Sequence, residues 1–141
     1  MLKTIIDNDT FFEVVKSELA TNKTVSFTVK GQSMWPFYKN GKTIVTVASP
    51  KQLRKYDVVL ATYQDKVILH RIIKIQGDTY ILRGDATTRK EVVHFSAIFG
   101  TVLEHKNKKI IKATSLGYRM KVWFWVNNPF RIVLLRLRRI Q

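Results

Sequence analysis

KVILHRIIKIQGDTYILRGDA, residues 66–86, holds two runs of β-branched and apolar residues on either side of Gly77-Asp78. Val, Ile, Thr and Tyr favour a pleated strand, and the Gly-Asp pair is a turn signal, so this stretch reads as β structure. Outward from it the same grammar repeats. TVSFTV, TIVTVA and DVVLATY come before it, and VVHFSAIFGTVLEH and KKIIKAT follow. Further turn signals stand at Lys39-Asn40-Gly41, Ser49-Pro50, Gln64-Asp65 and Gly84-Asp85. From Thr24 onward the spacing predicts a mainly β, antiparallel domain without internal repeats.

The flanks read differently. Thr10 and Glu13 form a capping-box pattern, and Phe11, Phe12, Val14, Val15 and Leu19 recur with helical period, predicting an amphipathic helix over about 9–21. At the other end Trp123, Val126, Phe130, Val133, Leu137 and Ile140 recur every three or four residues. Asn128 as cap and Pro129 as first helical residue predict a second short helix over 129–140. Three segments result: an N-terminal helix (1–23), a β-rich domain (24–115) and a basic amphipathic helical tail (116–141).

At 141 residues the chain suffices for one hydrophobic core. It has no cysteine, which excludes disulfides, thiolate metal sites and a cysteine nucleophile. His70, His94 and His105 lack the short spacing of metal ligands and no HExxH occurs, so neither a metal nor another cofactor is expected. The formal charge of +15 calls for an anionic partner, and from Thr101 onward there are ten Lys or Arg against Glu104 alone. Arg131, Arg136, Arg138 and Arg139 fall largely off the apolar stripe, the pattern of a helix lying on an anionic membrane surface through residues 117–141. The plainer alternative is a helix that packs its apolar stripe on its own sheet or on a second subunit. Nucleic-acid binding is not expected, because no recognised module accompanies the charge. The N-terminus has no secretory-signal pattern, and no run approaches the roughly 18 apolar residues of a spanning helix. A cytoplasmic or peripheral-membrane location is the expectation.

Two residues stand out chemically. Ser33, in GQSMWPFYKNGKTIVTV (31–47), follows a β run and precedes a proline-fixed turn. A serine hydroxyl needs a base to become a nucleophile, and without one Ser33 reads as an ordinary turn residue. His70, inside KVILHRIIKI, is the natural base, since imidazole is substantially neutral near pH 7. A carboxylate on its far nitrogen would fix the tautomer, and Asp85 and Glu91 are both placed to supply it. Either could instead be structural, as a turn cap or a solvated strand end.

GQSMWP, LRKYDVVLA, ILHRIIKIQGDTYILRGDA and IFGTV resemble, in order and spacing, the conserved boxes of signal peptidase I and its LexA-like relatives, over about residues 25–103. The resemblance implies a coiled antiparallel sheet and a serine endopeptidase that cleaves a precursor or leader peptide. Bacterial signal peptidases place lysine before the arginine of the third box; the endoplasmic-reticulum and archaeal type places histidine, as here at His70-Arg71. By that match Ser33 is the nucleophile, its backbone N–H an oxyanion donor, His70 the base, and Asp85 or Glu91 the third member. Lys42, Tyr56 and Ala86 depart from the usual box residues, and Gly31 lacks the hydroxyl that some relatives place two residues before the nucleophile. About 30 residues precede Ser33, too few for the DNA-binding domain of a LexA-like repressor. The competing reading keeps the fold as a catalytically silent module at a membrane surface.

Overall fold

The central stretch folds as two paired strands of an antiparallel sheet, β4 (Lys66–Gln76) and β5 (Thr79–Arg83), joined through Gly77 in the left-handed region at φ 60°. In the computed structural model the backbone of residues 8–140 and the side chains of residues 9–138 are described. The reading of the first seven residues as non-secretory, and the side chains of Arg139 and Ile140 in the tail, lie outside that range.

Before β4 come α1 (Asn8–Ala20), β1 (Val25–Thr28), β2 (Ile44–Ala48) and β3 (Val58–Tyr63); after β5 come β6 (Lys90–His94), β7 (Ile98–Lys106), β8 (Ile110–Lys112), α2 (Leu116–Val126) and α3 (Arg131–Ile140). The strands form one eight-stranded sheet in the order β1-β2-β7-β3-β4-β5-β6, with β8 beside β7, every pairing antiparallel. Register shifts at Thr46/Val47, Leu60/Ala61 and Ile72/Lys74 mark bulges, the devices that bend a sheet.

Both faces of the sheet's centre are covered. Val58 and Leu60 join one apolar cluster with Phe27, Val45 and the Phe11, Val15 and Leu19 face of α1; Val59 and Ala61 join another with Ile72, Leu82 and Ile98. This explains why DVVLATY reads as a continuous apolar run rather than an alternating one. Each of the valine, leucine, isoleucine and phenylalanine side chains among these stabilises the fold by roughly 1.5–3 kcal/mol through burial.

Several boundaries move. α1 begins at Asn8, so Thr10 lies within its first turn and not at the cap, and Val14 faces solvent. The long run VVHFSAIFGTVLEH is interrupted by a 3₁₀ turn at Phe95–Ala97, where His94 Nδ1 accepts the Ser96 N–H and the Phe95 N–H donates to the Asp78 carbonyl. α3 begins at Arg131 rather than at Pro129, and Asn128 sits in the turn ahead of it, its Oδ1 accepting from the Phe130 N–H at 2.9 Å.

Candidate active site

Ser33 sits in the compact connection between β1 and β2. The Gly31 N–H donates to Asn40 Oδ1, the Tyr38 N–H donates to the Met34 carbonyl, and the Val29 N–H donates to the Thr43 carbonyl. Met34 and Tyr38 are buried beneath the loop and anchor it, which leaves Ser33 partly exposed at its edge. Ser33 and His70 line the same cavity, of about 240 Å³, whose other walls include Phe12, Phe27, Met34 and Leu69.

His70 stands opposite Val59 on β3, and so on the same face of the sheet. Its Nδ1 lies 2.6 Å from Glu91 Oε1, both side chains being buried. Glu91 points inward because β6 alternates, with Glu91 and Val93 buried and Val92 turned out to solvent. A carboxylate on Nδ1 calls for the proton there, and leaves Nε2 with a lone pair.

Nε2 faces Gly84. A Cβ built on Gly84 would lie 3.0 Å from His70 Nε2 and 2.7 Å from the Ser33 carbonyl oxygen, so only glycine fits this approach. The Ser33 carbonyl also accepts the Ala86 N–H at 2.8 Å. The serine loop, the histidine and the Gly84–Thr87 turn therefore meet at one point. A neutral imidazole here can take a proton at Nε2, with the charge that develops balanced by Glu91.

Asp85, one of the two acids offered as partner of His70, is engaged elsewhere. Arg71 projects to the opposite face from His70, and its Nε and Nη2 donate to Asp85 Oδ1 and Oδ2, each at 2.8 Å. Its remaining donors reach the Tyr56 carbonyl and the Tyr118 hydroxyl, and Phe37 and Tyr118 rings flank the guanidinium. Burial alone would lower the Arg71 pKa, but the Asp85 carboxylate and its neighbours raise it well above the ordinary arginine value. Both carboxylate oxygens of Asp85 are taken by this bidentate pair, which removes it from contention as the group on His70.

The other histidines stand apart from this centre. His94 ends β6 on the surface, while His105 is buried between the rings of Tyr38 and Tyr118, where burial and then the charge of Arg71 lower its pKa to about 4.

The sequence reading had no means of seeing how the tail joins the site. Arg131, 4% exposed, donates to the carbonyls of Gly84, Asp85 and Thr87, and the Trp125 indole N–H donates to the Asp85 carbonyl at 2.8 Å. Burial, and then the nearby Arg83, lower the Arg131 pKa to about 10, with Asp85 opposing; it stays charged at neutral pH. Arg138 donates to Gln32 Oε1 beside Ser33 and lies over the Trp35 ring, which itself packs edge-on against Trp125. The only sequence signal for this was that these arginines fell off the apolar stripe.

The chain has no match among curated proteins. Across residues 3–103, covering all four sequence boxes, Ser33, His70 and Glu91, it matches the family model described as Peptidase S24-like, and it belongs to that family of serine peptidase-type proteins.

Proposed function

We propose that the protein is a serine endopeptidase that cuts a polypeptide precursor or leader, with Ser33 as nucleophile, His70 as general base and Glu91 as the carboxylate that orients and charge-balances the imidazole. The observation that carries this reading is the 2.6 Å His70–Glu91 contact on a histidine whose other nitrogen faces the turn that abuts Ser33. Family membership and the shared cavity support it.

In this mechanism Ser33 Oγ adds to the scissile carbonyl carbon while its proton passes to His70 Nε2. Collapse of the tetrahedral intermediate breaks the C–N bond, and the same proton goes to the departing amine. Water, deprotonated by His70, then adds to the acyl carbon, the C–O bond to Ser33 breaks, and His70 returns the proton to Ser33 Oγ. The Ser33 backbone N–H serves as oxyanion donor. The apolar walls of the cavity favour an apolar side chain next to the scissile bond.

Co-expression with polypeptides encoded beside it, followed by N-terminal sequencing of the products, tests the reading. Cleavage by wild type and none by Ser33→Ala is expected, with a serine-directed probe adding its mass to wild type only. A folded wild type that neither cuts nor labels supports the silent membrane-surface module, which the exposed apolar side chains of α2 and α3 favour.

A further inference from the structure

α3 is amphipathic in the wrong sense for a helix of a water-soluble core. Its inward side carries two arginines, Arg131 at 4% exposure and Arg138 against Gln32 and Trp35, with the half-buried Leu135 between them, whereas Val133 and Leu137 are 51% and 54% exposed. Packing its apolar stripe on its own sheet, the plainer of the readings open to the sequence, would have placed these residues the other way round. α2 repeats the theme. Tyr118 and Val122 are buried, while Met120, Trp123 and Phe124 are 50% or more exposed on the opposite side.

We propose that the outward faces of α2 and α3 form a docking surface for an anionic lipid bilayer. Charge favours a bilayer over a second copy. Residues 116–141 contain no acid, and while Arg131 and Arg138 turn inward and Arg119 pairs with Asp57, Lys121 and Arg136 are exposed beside the apolar side chains. A second copy would set these like charges against each other, whereas anionic headgroups neutralise them as the apolar residues enter the acyl boundary. Trp123, half exposed, has the amphipathic ring that prefers the headgroup level.

The docking surface is tied to the cleft. Arg131 and Trp125 grip the Gly84–Thr87 turn, and Arg138 grips the serine loop, so docking would hold Ser33 and His70 at a fixed attitude close to the bilayer. Removing the helices altogether would also strip the site of these contacts, which makes point variants on the outward face the cleaner probe.

The experiment is sedimentation of the full chain with vesicles of phosphatidylglycerol and phosphatidylcholine, or of phosphatidylcholine alone, at 0.15 M salt. Expected is binding to the anionic vesicles at least tenfold stronger than to the neutral ones, with a blue shift of tryptophan emission that Trp123→Phe removes. The double variant Phe124→Ser/Leu137→Ser should lower the partition coefficient at least tenfold while its thermal melt and Ser33 labelling stay those of wild type. Ser33→Ala should bind as wild type does, so that loss of the peptidase reading leaves docking standing, and loss of docking leaves the peptidase reading standing. Absence of vesicle binding, equal binding by the double variant, or a concentration-dependent dimer that the double variant abolishes would each overturn the proposal.

Discussion

His70 and Arg71 are consecutive residues of one strand, both buried and each facing a carboxylate, and they are put to opposite uses. Arg71 is almost fully engaged, four of its five N–H donors being spent on Asp85, the Tyr56 carbonyl and the Tyr118 hydroxyl. His70 is held by Glu91 at one nitrogen and left open at the other, toward Gly84 and the cavity shared with Ser33. Strand alternation sends the two side chains to different faces, so a single dipeptide supplies a structural pin on one side and, in the proposed mechanism, the proton acceptor on the other. A closed hydrogen-bond set fixes geometry, and reactivity requires one valence left over.

The largest test of this contrast is Glu91→Gln. The amide keeps an oxygen for His70 Nδ1 but no charge to balance an imidazolium, so cleavage or probe labelling should slow by about 10³–10⁴-fold. The melting temperature should change little, because the shape and the hydrogen bond survive. A variant that labels at the wild-type rate would remove Glu91 from the mechanism.

Asp85→Asn reverses the pattern. It leaves the buried Arg71 guanidinium without its counter-charge, a loss of roughly 3–5 kcal/mol of folding stability. Denaturant unfolding of the two variants side by side reads the difference directly. A marginal loss for Asp85→Asn and a large one for Glu91→Gln would mean that the two pairs have been assigned the wrong way round.

Gly84 stands where the two systems meet, since the turn it begins carries Asp85 toward Arg71 and touches both His70 and Ser33. Gly84→Ala places a methyl group 2.7 Å from a backbone oxygen, which cannot rotate away. The cost should be about 2–3 kcal/mol of stability, with a loss of Ser33 labelling as the serine loop is pushed from the histidine. Unchanged labelling would show that the serine loop tolerates the displacement.

Much of the fold was legible because strands and turns are local: β-branched runs and Gly, Asn or Asp punctuation located the sheet, and the helical periods located α1 and the tail. Ser33 and His70 were legible as residue types, each in a recognisable box. What separated Glu91 from Asp85 was not local. Both acids follow a β run, and the choice depends on which face of β6 carries Glu91 and on Asp85 being claimed by Arg71, facts of register that no spacing encodes. The tail contacts were hidden for the same reason, Arg131 and its turn being more than 40 residues apart in sequence. The carbonyls of the Gly84–Thr87 turn give Arg131 a buried set of acceptors that its place off the apolar stripe does not encode.

His105 provides the smallest and most specific test, on the Arg71 side of the contrast. Buried between Tyr38 and Tyr118, its Nδ1 finds no partner among the described residues, and its pKa is lowered from 6.5 to about 4, by burial first and by Arg71 second. Above about pH 6.5 the imidazole is neutral in folded and unfolded chains alike, and its contribution is complete. As the pH falls below 6.5 the unfolded chain takes up the proton first and stability declines; near pH 4 the folded chain protonates too and the decline levels off. The loss should be about 2 kcal/mol by pH 5 and about 3 kcal/mol by pH 4. His105→Phe keeps a ring between the two tyrosines and should flatten this part of the stability profile in denaturant melts from pH 7.5 to 5. If the two profiles run parallel, His105 is not the group through which acid lowers the stability of the fold.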